Sequence, residues 1–212
     1  MSMLGIGDTA PDFHAETSEG PIDFYDFAAD GWVVLFSHPH FFRPVCVSEM
    51  GQASRLAPDF VALGCKLLAV TVDPLDRFED WQADIVKSEA TGIRFPVVSD
   101  PERQVTALYG LIHPAMSPEA PTRSAYIIDP QRRVRALLAF PSSMGRDFAY
   151  ILTLVNSLQL TDRAKVASPA GWRPGDEMAI VPGLSAEELS SRFPAGWREA
   201  TPYLRYVQIP SK

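Results

Sequence analysis

The stretch that most constrains this chain is Trp32–Cys46, which reads WVVLFSHPHFFRPVC. Val33-Val34-Leu35-Phe36 is a β-branched and aromatic run suited to a buried strand. Ser37-His38-Pro39 stops it, and Pro44 marks the first position of a helix, where its missing N–H costs nothing. Cys46 therefore falls in a first helical turn, among unpaired backbone N–H groups at the positive end of the macrodipole. A thiolate is favoured over a thiol there, which makes Cys46 a candidate nucleophile.

With 212 residues, 46% of them hydrophobic, the chain can bury a substantial core and suits one domain with an appendage. A net charge of −7 and no basic stripe argue against nucleic acid or an anionic membrane as partner. Met1-Ser-Met-Leu-Gly5 lacks the basic-then-apolar pattern of a leader, and no segment approaches the ~20 apolar residues of a membrane span. A cytoplasmic location is expected. Cys46 and Cys65, the two cysteines, are too few for a disulfide framework and fit a reducing compartment.

Turn signals at Thr17-Ser-Glu-Gly20-Pro21, followed by the partly alternating 22–27, predict a short hairpin or loop before the core. Gly5-Ile-Gly7-Asp-Thr-Ala10 matches a loose dinucleotide pattern, but no strand can precede it and Pro11 interrupts the helix that should follow. Apolar residues at Cys46, Met50, Ala53, Leu56, Phe60 and Leu63 predict a helix over 45–63, kinked or divided at Pro58. Strands are expected at 66–72 and 95–99, with helices from Asp73-Pro74 and over 101–109, the latter closed by Gly110. The proline-rich 111–123 reads as a loop, 124–128 and 134–140 as a hairpin, and 146–160 as an amphipathic helix. This order is α/β with a mixed sheet. From Thr161 the composition shifts: 166–176 reads as an extended linker, and Ser185 with Glu188 forms a capping-box signature before a short helix. This tail looks unable to bury a core alone, so Trp172, Phe193, Trp197, Tyr203 and Tyr206 are expected to pack elsewhere.

Several separated motifs in one order carry a resemblance. They are Gly7-Asp-Thr-Ala-Pro-Asp-Phe13, Phe36-Ser-His-Pro39, Pro44-Val-Cys46, and Ala125–Pro130 after Arg123. Gly145-Arg146, Leu158-Gln-Leu160, Val166, Trp172-Arg-Pro-Gly-Asp176 and Tyr203-Leu-Arg-Tyr206 follow. The chain resembles peroxiredoxins, specifically the one-cysteine subfamily with a long C-terminal domain. The resemblance implies a thioredoxin-like α/β fold over 1–160 and a smaller extension over 161–212 that packs across a homodimer or higher oligomer. It also implies a peroxidase without a cofactor, acting on a peroxide and recycled by an external thiol.

In that family the site runs proline, three residues, threonine or serine, two residues, peroxidatic cysteine, with a distant arginine. Pro39, Cys46 and Arg123 take the proline, cysteine and arginine places as implied catalytic residues. Arg43 stands where the hydroxyl belongs, and Phe41 replaces the common acidic residue, which suggests a bulkier, less acidic entrance. Arg43 is either a site cation or a surface side chain pointing away. His38 is either a packed histidine or a site participant. Glu49, one turn after Cys46, either pairs with an arginine such as Arg146 or lies on a solvated face. Clustered His38, His40 and Cys46 lack an evident fourth ligand, so no metal is expected. Some relatives in the subfamily cleave phospholipids with a serine before the central strand; here the segment is Ala29-Asp-Gly31-Trp, and that activity is not carried over.

Cys65 lies 19 residues beyond Cys46, roughly 28 Å along a straight helix, whereas a disulfide needs Cα atoms within about 7 Å. A buried, inert thiol is expected. The rival readings are a diverged enzyme acting on a specialised organic or sulfur substrate, and a non-catalytic peroxide sensor or scaffold.

Overall fold

The computed structural model describes residues 4–29 and 31–209. Met1–Met3 of the leader argument and Asp30 of the Ala29–Trp32 segment lie outside them. The chain forms two compact units that divide between Ala149 and Tyr150.

In the first unit, β1 (His14–Ala15) and β2 (Ile22–Asp23) make the expected hairpin, but Phe24–Ala28 forms a short helix, α1, instead of continuing the strand. Its Phe24 is fully buried and stacks on Phe13, so packing outweighs the alternating pattern. β3 (Trp32–Ser37) leads into α2 (Pro44–Ala62), and β4 (Cys65–Thr71) follows. A 3-10 turn at Leu75–Arg77 precedes α3 (Phe78–Glu89), then β5 (Val97–Ser99), α4 (Gln104–Leu108), β6 (Arg123–Ile128) and β7 (Val134–Phe140). The sheet order is β5-β4-β3-β6-β7, with β3, β4 and β5 parallel and β6 and β7 antiparallel to their neighbours. The predicted mixed sheet of a thioredoxin-like α/β fold is present.

β3 is the axis of this sheet. Val33 to Phe36 are all fully buried, as expected of a strand covered on both faces. Because side chains alternate, Val33 and Leu35 join the cluster containing Leu68, Tyr126 and Ile128, while Phe36 meets Phe95 and Phe148 edge to face. α2 is continuous through Pro58, so of the expected kink or division the division does not occur. Pro58 is exposed in the last turns, where its ring removes one backbone bond without unseating the buried face of Cys46, Met50, Ala53 and Phe60.

α4 begins three residues later than predicted. The Asp100 carboxylate accepts hydrogen bonds from the backbone N–H groups of Gln104, Val105 and Thr106 at 2.8, 3.2 and 2.7 Å, which fixes the helix start at Gln104.

In the second unit, α5 (Phe148–Ala164), whose first two residues belong to the first unit, is followed by β8 (Val166–Ala167), β9 (Met178–Ile180), α6 (Ala186–Arg192), β10 (Arg198–Thr201) and β11 (Leu204–Val207). The strands form an antiparallel sheet in the order β10-β11-β9-β8. The expected linker is folded: Trp172 is buried, and its indole N–H donates to the Asp176 carbonyl at 3.1 Å. Leu160, Val166, Trp172, Met178, Ile180, Leu189, Phe193 and Val207 form a cluster of this unit's own. The region does bury a core, contrary to expectation, and Leu160 places α5 in it, earlier in the chain than the boundary after residue 160. The Ser185–Glu188 capping box forms as predicted. No helix among the described residues is long and apolar enough to cross a membrane.

Asp100→Ala strips three N–H groups of a charged acceptor and should cost about 2–3 kcal/mol in a denaturant titration; Asp100→Asn, which keeps an acceptor oxygen, should cost less.

Candidate active site

β3 ends at Ser37, whose hydroxyl donates to the Thr122 carbonyl at 2.7 Å and accepts from the Ser124 N–H at 3.2 Å, locking the start of β6 beside it. The chain then turns through His38 to Phe42. Asp73, just beyond β4, holds this loop: its carboxylate accepts from the Phe41 N–H and lies 2.7 Å from His40 Nδ1. Phe42 adopts a φ of 54°, uncommon for a non-glycine residue. Arg43 occupies the N-cap of α2 and Pro44 its first turn, so Cys46 emerges where the sequence places it. The Asp73-Pro74 pair reads in sequence only as a helix start, so its hold on this loop was not foreseen.

Cys46 is fully buried. Arg123, the first residue of β6, donates from Nη1 to Cys46 Sγ at 3.4 Å and to Glu49 Oε2 at 2.6 Å, and from Nε to the Ser142 carbonyl at 2.9 Å. Arg146 grips the same carboxylate: its backbone N–H and Nε donate to Glu49 Oε1 at 2.7 and 2.8 Å, and Nη2 donates to Oε2 at 2.9 Å. Its Nη1 donates to the Ser124 carbonyl at 2.6 Å. Glu49, Arg123 and Arg146 are each at most 3% exposed. Of the two sequence alternatives for Glu49, the arginine partnership is therefore the one present. Burial works to raise the Glu49 carboxyl, but Arg146, by charge and hydrogen bonds, and then Arg123 outweigh it and hold the group below the usual carboxylate range.

The thiol experiences opposed influences. Burial pushes Cys46 above the ordinary thiol value, whereas the charge and hydrogen bond of Arg123 and the His40 backbone N–H draw it down. Burial prevails over the stabilisation that the sequence predicts from helix start and arginine. Cys65, at the head of β4, is buried and pushed up to about 12 by desolvation. It lies beyond the far end of α2, which from Cys46 to Ala62 rises about 24 Å.

His38 is fully buried, stacked against Trp81 and Phe41 at centroid distances of 5.2 and 5.9 Å, and neither ring nitrogen has a hydrogen-bond partner among the described residues. Burial, then the charge of Arg146, push its imidazole down to about 3. It is a neutral packing residue. Phe41, expected at the entrance, is instead 6% exposed and stacked on Trp81 at 4.4 Å. A cavity of about 380 Å³ opens beside Arg123, lined by Pro39, His40, Arg43, Pro44 and Val45 together with Met116, Ser117, Ala120, Pro121, Thr122, Ser142 and Ser143. Arg43, exposed, borders this cavity and also a second one that it shares with Asp73 and Asp76. Ser142 and Trp81 carried no signal in the sequence, since one acts through its carbonyl and the other by packing.

Comparison with known proteins identifies the family. The model of the AhpC/TSA family matches residues 6–137. The chain belongs to that family. The C-terminal domain of 1-Cys peroxiredoxin matches residues 157–194. The chain is 39% identical over 211 residues to a 1-Cys peroxiredoxin of Dictyostelium discoideum, covering 100% of this chain and 88% of that one. It is 36% identical over 220 residues to Peroxiredoxin-6 of Homo sapiens, covering 98% of each. Among solved structures, a cysteine-to-serine mutant of Peroxiredoxin 6 of Arenicola marina aligns with a TM-score of 0.89 at 34% identity, covering 99% of this chain and 100% of that one. The peroxiredoxin fold and the one-cysteine branch are thereby shown.

Two measurements probe these electrostatics. In Arg123→Gln the pH midpoint for alkylation of Cys46 should rise by about a unit or more, because a charge and a hydrogen bond favouring the thiolate are both lost. For His38, the unfolded chain binds a proton near the ordinary value of 6.5 while the folded chain does not until about 3. Stability is therefore complete above 6.5 and falls as pH drops toward 3. His38→Phe should remove about 2 kcal/mol of the stability lost between pH 7 and pH 5, giving a shallower pH dependence in denaturant titrations.

Proposed function

We propose that this peroxiredoxin is a thiol-dependent peroxidase that reduces hydrogen peroxide or organic hydroperoxides through a sulfenic acid on Cys46 and is recycled by an external thiol. The observation that carries this reading is Arg123 Nη1 at 3.4 Å from Cys46 Sγ, on a side chain that also lines the cavity. Sulfur attacks the terminal peroxide oxygen; the S–O bond forms as the O–O bond breaks, and sulfur loses the two electrons that the peroxide gains. The leaving alkoxide takes a proton, so thiol plus hydroperoxide becomes sulfenic acid plus alcohol, or water when the substrate is hydrogen peroxide. Negative charge moves toward the leaving oxygen, and Arg123, fixed by Glu49 and Ser142, is a preorganised donor for it. Pro39, buried beside the cavity, restricts the approach to sulfur.

Recycling falls to another molecule because Cys65 is buried beyond the far end of α2. One thiol displaces water from the sulfenic acid to give a mixed disulfide, and a second thiol releases Cys46. A solved relative, a yeast mitochondrial 1-Cys peroxiredoxin with TM-score 0.89 and 34% identity, is described by its thiol resolving mechanism via glutathione/thioredoxin systems, which supports a thiol of one of these classes. The exposure of Trp197 and Tyr203 supports the homo-oligomer expected for this branch.

The test mixes reduced protein rapidly with hydrogen peroxide and captures sulfenic acid with dimedone for mass analysis. The adduct should form on Cys46, vanish in Cys46→Ser, and form at the parental rate in Cys65→Ser. An adduct confined to Cys65, or none at high peroxide, would overturn the proposal.

A further inference from the structure

The cavity beside Arg123 is one-sided in charge. Arg43 and Arg123 are in its lining, and no aspartate or glutamate is. Arg123 is already engaged by Glu49, the Ser142 carbonyl and Cys46. Arg43 is not: among the described residues its guanidinium has no hydrogen-bond or ion-pair partner, although it stands at the N-cap of a 19-residue helix. That position ordinarily carries a side chain able to accept from the first turn. Here no side chain caps α2 and its first turn holds no acidic residue, so the helix end adds to the positive character of the rim.

The walls are of another kind. Pro39, Val45, Met116 and Pro121 present apolar surface to the same space. At about 380 Å³, the space far exceeds the roughly 30 Å³ that a water molecule occupies, so hydrogen peroxide alone leaves most of it unused. A chamber that joins this apolar surface to the polar His40, Ser117, Thr122, Ser142 and Ser143, with an uncommitted guanidinium at its rim, suits a molecule with a hydrocarbon body and an anionic end.

We propose that Arg43 is a specificity-determining residue that makes this enzyme prefer hydroperoxides carrying a carboxylate over neutral ones of the same shape. The inference rests on the peroxidase reading. The apolar walls assign the anion to the peroxide, since they match a hydrocarbon body better than a polar thiol.

The test compares cumene hydroperoxide with its para-carboxylate, following Cys46 oxidation of the reduced protein in single-turnover mixing. The carboxylate should react about tenfold faster at low ionic strength, and the ratio should approach one near 1 M salt. Arg43→Lys should keep most of the preference, Arg43→Gln should bring the ratio close to one, and Arg43→Glu should invert it. The salt series uses the parent protein, so poor folding of a variant cannot mask the answer. Equal rates in the parent, or an unchanged ratio in Arg43→Gln, overturn the proposal while oxidation by hydrogen peroxide still upholds the peroxidase. Absence of oxidation by every peroxide removes both. Charge preference seen only when the sulfenic acid is reduced by carboxylated and neutral thiols assigns Arg43 to the reductant and likewise overturns it.

Discussion

The structure of the site depends on one carboxylate. Glu49 receives four hydrogen bonds, three from Arg146 and one from Arg123, which occupies the acceptor capacity of both its oxygens. A buried carboxylate with this many partners remains ionised, and two buried guanidiniums gain a counter-charge. The geometric result matters as much as the charge. Glu49 belongs to α2, Arg123 to β6, and Arg146 to the segment before α5, so a single group ties three parts of the first unit together one turn from Cys46. Arg123 can face the sulfur only because Glu49 and the Ser142 carbonyl fix the rest of its fork.

Around that centre the protein combines a polar network with a dry wall. His38, Phe41 and Trp81 stack into an apolar partition, and Asp73 pins the loop that carries the first two of them. The same enclosure that raises the thiol also intensifies whatever Arg123 does, because charges act more strongly where water is excluded. Reactivity therefore comes from a contest between desolvation and one well-aimed cation, and the loop that excludes water is held by an aspartate from a different strand end.

Much of this was legible in sequence where a local rule and the tertiary structure agree. The run Val33–Phe36 could only be a buried strand, Pro44 placed Cys46 in a first turn, and Ser185 with Glu188 announced their helix. Arg123 and the pairing of Glu49 with Arg146 were accessible through motif and helical spacing. What escaped depends on partners remote in the chain. Asp73 and Asp100 act on backbone N–H groups, which any residue supplies. The C-terminal sheet uses strands of two to four residues, and Arg198–Thr201 lacks a buried face, so no alternating pattern marks it. The neutrality of His38 follows from its stacking on Trp81 and Phe41, and a histidine before a proline gives no hint of that.

The placement of the two thiols at opposite ends of α2 has a kinetic meaning. With the Cys65 thiol out of reach, the lifetime of an oxidised Cys46 is set outside the molecule, by the concentration of whatever thiol arrives. At steady state the ratio of oxidised to reduced protein becomes the ratio of peroxide arrival to thiol supply, so the protein's own population records the balance between the two pools.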